Sequence, residues 1–363
     1  MRHELSLDSA ASLSRVLAVP GERTGARFAA VVREAVSALS SSSNFPCSVE
    51  TLPILGAFND LAAAGRAVDA VCRAPVVVFD CDGFEPGVLL LIGIRGALRR
   101  GISICAAELS RSMFPVFVPY NLQCVSFADF SAAPDPAALL ARTISLSLWE
   151  YEVDATYRDL PGYNAVRRSS GPAVQRDGVL VLCPYAQPYT DVCWSGMLRE
   201  ALASVVRKPH RLADCISARL AADTFHTRLR ENANCIADWT NVRPDLFYEL
   251  GVRIAVSEHA CLHIIADGRD WNPGLTTPNV NTIFGRWPCP PEHSEMTARN
   301  LALAHLRDLI SLFQPVPYRI QGDDTGKLAT ALKSRQSTRD KRDSVESFLH
   351  FRADRAATEG WLS

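Results

Sequence analysis

Short runs of uninterrupted apolar residues punctuate the chain: RVLAV from Arg15, PVVVF from Pro75, ISICAA from Ile102, VLVLC from Val179 and CLHIIA from Cys261. Each is followed by a loop and then by a stretch with apolar residues at helical spacing. Runs that are apolar on both faces predict strands of a parallel sheet covered on both sides. The repeated order of strand, loop and helix predicts an α/β fold of two tandem Rossmann-like or flavodoxin-like units, each a parallel sheet flanked by helices.

Two segments support this duplication directly. VVVFDCDGFEPGVLLLIGIRGAL, from Val76 to Leu98, aligns without a gap with CIADWTNVRPDLFYELGVRIAV, from Cys235 to Val256. Asp80 then falls opposite Asp238, Pro86 opposite Pro244, Leu91 opposite Glu249, Gly93 opposite Gly251 and Arg95 opposite Arg253. Upstream, the stretch from Arg15 to Leu39 resembles that from Val179 to Val205, with Pro20 against Pro184, once a two-residue insertion is allowed. Downstream, Ile102–Glu108 and Cys261–Asp267 are both apolar runs ending in an acid. A duplicated motif sets boundaries that propensity alone does not. We read residues 1–150 as a degenerate first unit and 151–177, mixed in charge and rich in Pro, Gly and Ser, as a linker. Residues 178–325 form the second unit, and 326–363 a charged C-terminal tail, partly helical. The tail's apolar anchors are Val345, Phe348, Leu349 and Phe351, and its composition favours a solvated face over a docked helix.

In the second copy a helix is expected to start near residue 243. Pro244 suits a first turn that needs no N–H, and Asp245 suits the positive end of the helix dipole. Leu246, Phe247, Leu250 and Ile254 form the expected buried stripe, with Asp245, Glu249, Val252 and Arg253 off its centre. Gly93 and Gly251 are read as points of close helix packing, since no GxGxxG or Walker loop occurs.

Composition narrows the function classes. A formal net charge of −1 over 363 residues implies neither nucleic acid nor an anionic membrane as partner. The 11 cysteines are scattered, with no CxxC pair, and fit a reducing compartment, so we expect a cytoplasmic protein. The N-terminus carries Glu4 and Asp8 where a secretion signal would be basic, and no apolar run reaches transmembrane length. His259 and His263 stand four apart but with a strand start between them, so no metal site is expected there.

Ligands of open parallel sheets bind beyond the carboxyl ends of the strands. In the second copy that edge offers Pro184, Tyr185, Asp238, Trp239, Thr240 and Asn241, with Glu249 on the following helix. Two readings of Glu249 stand side by side: a catalytic or ligand-contacting carboxylate, or half of an exposed helical ion pair with Arg253, worth about 0.2–0.5 kcal/mol. Asp238 suits capping or binding. Tyr185, Trp239 and Tyr248 offer a stacking surface for a base or else belong to the core.

ADWTNVRPDLFYELGVRIAV, from Ala237 to Val256, resembles the Asp, Thr, Asn-Pro-Asn-hydrophobic-Tyr-Glu-Leu-Gly signature of bacterial TIR-like and nucleoside 2-deoxyribosyltransferase-like proteins. The segment from Arg211, with an Arg-x-Ala-Asp element ending at Asp214, has the spacing of the same group. The resemblance covers roughly residues 178–285 and, more weakly, the first half. It implies that Glu249 attacks or stabilises the anomeric carbon of a ribose as an N-glycosidic bond breaks. Pro184, Tyr185, Asp214, Asp238, Thr240, Asn241 and Asp245 would line the substrate site. NAD would be a substrate rather than a cofactor, and no other cofactor is expected. Nicotinamide leaves as a neutral base, whereas an ordinary nucleobase needs a proton from a second acid such as Asp238 or Asp214. Arg243-Pro244-Asp245 replaces the usual Asn-Pro-Asn, so base contacts do not carry over. The resemblance implies an NAD glycohydrolase, with antiviral defence as its context. A nucleotide-binding sensor without turnover and a deoxyribosyltransferase are the alternatives. Expected partners are a nucleotide or nucleoside, with a homo-oligomer or an operon-encoded protein as the macromolecular partner.

Overall fold

The computed structural model describes residues 15–21, 25–43, 47–54, 56–81, 85–98, 101–107, 125–130, 133–153, 175–182, 199, 208–211, 228–230, 232–239, 244–257, 259–266, 308–318, 330 and 344–359. These residues form two parallel sheets of five strands each. The first unit runs β1 (Arg15–Val19), α1 (Gly25–Ser43), β2 (Ser48–Thr51), α2 (Leu61–Arg73), β3 (Val76–Asp80), α3 (Pro86–Leu98), β4 (Ile102–Ala107), β5 (Val125–Asp129) and α4 (Pro136–Val153). The second contains β6 (Gln175–Leu182), β7 (Lys208–Arg211), β8 (Asn232–Asp238), α5 (Pro244–Val256), β9 (Cys261–Ala266) and β10 (Val316–Tyr318). A last helix, α6 (Val345–Glu359), follows. Ordered elements thus reach into both ends of the segment 151–177, whose middle lies outside the described residues.

The strand orders are β2-β1-β3-β4-β5 and β7-β6-β8-β9-β10, which are the same order when each unit is counted from its own first strand. The α/β duplication read from the sequence is therefore a duplication of topology. Register repeats as well: Val77 lies opposite Ser103 in the first sheet, and Cys235 opposite Cys261 in the second. Even a loop bond recurs, since Cys81 N donates to Ala106 O at 2.9 Å and Trp239 N donates to Ile264 O at 2.9 Å.

Local causes are visible in the first unit. Asp60 caps α2 by accepting from Ala63 N at 2.7 Å, and Ala64, Ala67, Val68, Val71 and Cys72 form the buried stripe of that helix. Phe28, Val32 and Val36 of α1, with Leu140 and Ile144 of α4, cover one face of the first sheet. The opposite face, carrying α2 and α3, joins an apolar cluster that continues into the second unit through Leu180, Leu182, Phe247 and Leu250.

The join is made by equivalent helices. α3 and α5 cross where Gly93 meets Gly251, in the self-complementary manner of a twofold interface. A Cβ on Gly93 would lie 2.3 Å from Tyr248 O and 3.1 Å from Gly251 Cα, and one on Gly251 would lie 2.2 Å from Leu90 O. Only glycine lets the two backbones approach this closely. α5 is consequently enclosed by its own sheet, by α3 and by α6. Glu249, Val252 and Arg253, expected off the buried stripe, are all buried, with Glu249 4% exposed and Arg253 1%.

The C-terminal tail also departs from expectation. Instead of presenting a solvated face, α6 docks across both units. Leu349, Ala353 and Ala356 are buried, and Phe348 packs over Gly65 of α2. Arg352 pairs with Asp69, its Nε donating at 3.0 Å, and Nδ1 of His350 lies 2.8 Å from Ile254 O of α5. Of the four apolar anchors expected, Phe351 instead faces solvent, 62% exposed. Among the described residues no helix is long and apolar enough to cross a membrane.

Candidate functional site

The sheet order reverses between β1 and β3, and again between β6 and β8, which creates a crevice at the carboxyl edge of each sheet. In the first unit Asp80, at the end of β3, accepts the Gly21 N–H at 3.1 Å and so ties the loop after β1 to the loop after β3. Glu85 crowds the same point: a Cβ on Gly21 would lie 2.9 Å from Glu85 Oε1 and 3.3 Å from Asp80 Oδ2. Asp238 occupies the equivalent place at the end of β8 and is equally buried, at 1% exposure. The observed bond of Asp80 gives this recurring aspartate a loop-tying role.

Glu249 lies on α5, directly after that strand and loop. Its burial overturns the exposed ion-pair reading. The guanidinium of Arg253 donates to Leu229 O and, at 2.7 Å, to Asn232 O. Arg95 does the same in the first unit, donating to Val71 O, to Ala74 O at 2.8 Å and to Ile102 O at 2.8 Å, with Nε bonded to Ser103 Oγ at 2.8 Å. These carbonyls include those left without partners at the end of α2, where a cation also suits the negative end of the helix dipole. The two arginines are thus architectural twins, whereas Leu91 and Glu249 differ.

Trp239 and Tyr248, weighed as a stacking surface for a base, are fully buried at 0% and 1% exposure. They belong to the core. Asp245 falls in the first turn of α5, and its side chain lies outside the described set. Pro184, Tyr185, Asp214, Thr240 and Asn241 also lie outside the described residues. Of the expected site residues, the side chains of Asp238 and Glu249 are described, at the end of β8 and on α5, and both are buried.

A second polar cluster lies between β9 and α6. His263, in the middle of β9, faces Glu346 of α6, with Nε2 to Oε1 at 2.5 Å, and Glu346 also accepts the Cys261 N–H at 3.0 Å. On the other side of the ring, Trp239 Nε1 donates to His263 Nδ1 at 3.0 Å. An indole nitrogen can only donate, so Nδ1 carries no proton and Nε2 carries one, directed at the carboxylate. Trp239, His263 and Phe313 stack on one another, and Trp239 packs against Phe247 of α5 with ring centroids 5.4 Å apart. Burial alone would raise the Glu346 carboxyl. His263 beside it, and the N–H groups of Glu346 itself and of Cys261, overcome burial and hold it below its ordinary value. The thiols of Cys235 and Cys261, both free, share a hydrogen bond across adjacent strands. That bond and burial hold Cys261 well above its ordinary value. Cys235, which burial would raise, is brought below its own by the same bond and by Arg253.

The donor atoms of Cys261, His263 and Glu346 all lie within 4.8 Å of one another, close enough to invite a metal. A metal on Nε2 would have to displace the proton that the Trp239 bond places there, leaving the imidazole with none. The observed geometry is that of a hydrogen-bonded chain. Sequence reasoning missed this chain because Glu346 is 83 residues from His263. A histidine inside an apolar strand was its one available signal.

No family model matches the chain, and no curated protein matches it in sequence. Among solved structures it is similar to the C-terminal domain of glucosamine-fructose-6-phosphate aminotransferase from Francisella tularensis, at 12% identity and a TM-score of 0.23, covering 98% of this chain and 89% of that one. A likeness of that size carries no weight for activity.

Proposed function

We propose that the second unit cleaves an N-glycosidic bond of a nucleotide, with NAD as substrate and Glu249 as the carboxylate that faces the ribose. One observation carries the reading: the helix pair α3 and α5 is equivalent in glycine, arginine and topology, yet where the first copy buries Leu91 at 0% exposure the second buries Glu249 at 4%. Burying a carboxylate is costly, and architecture alone does not ask for it, since leucine fills the equivalent place in the first copy. A carboxylate shielded from water is suited to an oxocarbenium-like transition state, whose charge it stabilises or traps. The glycosidic bond breaks with its electron pair going to the pyridinium nitrogen, and nicotinamide leaves neutral. Water then adds to the anomeric carbon and loses a proton to solvent. The six described cysteines are free thiols, which accords with a cytoplasmic setting.

The test is chromatographic detection of nicotinamide released from NAD by wild type, Glu249→Gln and Glu249→Leu, over a range of protein concentrations because the resemblance implies assembly-dependent activity. Both variants are expected to be silent. Glu249→Leu, which installs the residue of the first copy, is expected to be as stable as wild type or more stable, by up to a few kcal/mol. Equal release by all three proteins refutes the assignment. Silence of wild type with NAD-induced thermal stabilisation would replace it with a sensor that binds without turnover. A variant destabilised by more than about 3 kcal/mol would make Glu249 a structural anchor.

A further inference from the structure

Three differences between the copies fall on neighbouring elements of the second unit. Where the first unit has Cys81, Cys105 and Leu91, the second has Trp239, His263 and Glu249, at equivalent points of strand, strand and helix. The unit that holds the candidate carboxylate is therefore the one whose β8 exit is anchored by a tryptophan and a histidine. Trp239 is the residue after Asp238, and it touches Phe247, two residues before Glu249. Its indole N–H has a buried acceptor only while His263 keeps Nδ1 unprotonated. That tautomer is held by Glu346, which comes from a different part of the chain and is 3% exposed.

We infer that Glu346 of the C-terminal helix and His263 are positioning residues for the candidate site: through Trp239 they hold the connection between the end of β8, at Asp238, and Phe247 of α5, the helix that carries Glu249. This rests on the proposed function only in calling that connection a site. The fixed order is carboxylate, Nε2–H, unprotonated Nδ1, indole N–H. Each member removes a choice from the next. Without Glu346 the ring is free to put its proton on Nδ1, which then meets the indole N–H head on, and two buried donors face each other. Among the described residues, the titratable groups that interact with Glu346 are His263 and Cys261 of β9 and Cys235 of β8. None of these can replace Glu346 as the acceptor for Nε2–H while keeping its present bond. α6 also grips the first unit through Arg352 and Asp69, so anything that lifts α6 would loosen the candidate site from a distance.

The experiment is hydrogen exchange measured by mass spectrometry on the full chain, comparing wild type, Glu346→Leu, Glu346→Gln and Trp239→Phe. Glutamine keeps an oxygen that accepts from Nε2–H and from Cys261 N, so local exchange around Trp239 in Glu346→Gln is expected to match wild type, whatever the lost charge does to global stability. In Glu346→Leu and Trp239→Phe, peptides covering 237–247 are expected to exchange roughly five- to tenfold faster, the size of one neutral hydrogen bond. Peptides covering Val76–Asp80 of the first sheet should stay unchanged. Trp239→Phe leaves the bond from Glu346 to Cys261 intact, so it reads the chain even if Glu346→Leu undocks α6 altogether. The inference is overturned if Trp239→Phe leaves 237–247 unchanged. It is also overturned if glutamine and leucine at 346 behave alike, or if faster exchange stays within Val345–Glu359. No NAD is used, so a wild type silent on NAD would refute the proposed function while leaving this result to stand or fall alone.

Discussion

Alanine at Gly93 or Gly251 should separate the two halves of the molecule. In an open helix the change would be favourable, because alanine is the better helix former by about 1 kcal/mol. Here the new methyl carbon would lie 2.3 Å from Tyr248 O at position 93, or 2.2 Å from Leu90 O at position 251. Both obstacles are backbone atoms in helices that cannot swing aside as a side chain can. Moving from 2.3 Å to the roughly 3.4 Å of an ordinary contact requires the helices to part by about 1 Å, which forfeits a quarter to a half of the dispersion energy along the seam. Overpacking of this kind costs about 1–3 kcal/mol, and the upper end is expected because the seam lies inside a shared apolar cluster. Spread over 363 residues unfolding as one unit, at about 2.1 cal/mol/K each, a loss of 3 kcal/mol lowers Tm by about 4 °C. Urea unfolding of Gly93→Ala, Gly251→Ala and the double variant is the assay. The double variant should lose less than the sum of the singles, because the first methyl already opens the gap for the second. A neutral or stabilised single variant would refute the crossing as described.

Two further outcomes follow from the buried polar groups. Arg95→Lys and Arg253→Lys should each destabilise by several kcal/mol despite keeping the charge, since an ammonium cannot reach carbonyls in the fan that a guanidinium serves; chemical denaturation would show it, and a loss under about 0.5 kcal/mol would refute it. Glu346, held below its ordinary value in the fold, contributes stability that is fully present above the unfolded carboxylate range near 4.5 and is lost as pH falls through its folded value. The stability gap between wild type and Glu346→Gln should therefore shrink on acidification below that range and stay flat from there to neutrality, as read by Tm against pH.

The pattern of apolar runs was enough to read the inner strands of both sheets and the duplication, because strand and helix periods are local properties, whereas the edge strands β2, β5, β7 and β10, which lack such runs, were not read. The helix start at Pro244 and the close packing at Gly93 and Gly251 were also legible. What could not be read was anything set by the contact between units. Periodicity assigns a helix one buried stripe, and α5 has neighbours all round, so Glu249 and Arg253 were placed too near solvent. The tail misled in the same way: its charges suggested a solvated face, but Arg352 and Glu346 spend theirs on Asp69 and on His263, partners far away in the chain. For Trp239 and Tyr248 the sequence left core and stacking surface both open, because aromatic content does not reveal burial, and the structure places them in the core.

A duplicated chain supplies its own control, and the comparison separates architecture from chemistry more sharply than either copy does alone. Asp80 with Asp238, Gly93 with Gly251 and Arg95 with Arg253 recur. Where their contacts are seen they tie loops, admit a backbone crossing or satisfy carbonyls at the end of a helix. Any copy of this fold packed through this face needs them. Leu91 against Glu249, Cys81 against Trp239 and Cys105 against His263 do not recur, and each replaces an apolar or weakly polar buried group with one that must find a hydrogen bond. Such replacements are costly in a core that the first copy shows can be built without them. Trp239 follows β8 directly, His263 lies on β9 and Glu249 on α5, and the partner of His263 is delivered by α6 from far along the chain. The first copy shows that this core can be built without them, so three buried polar side chains in one copy are what the proposed function has to explain.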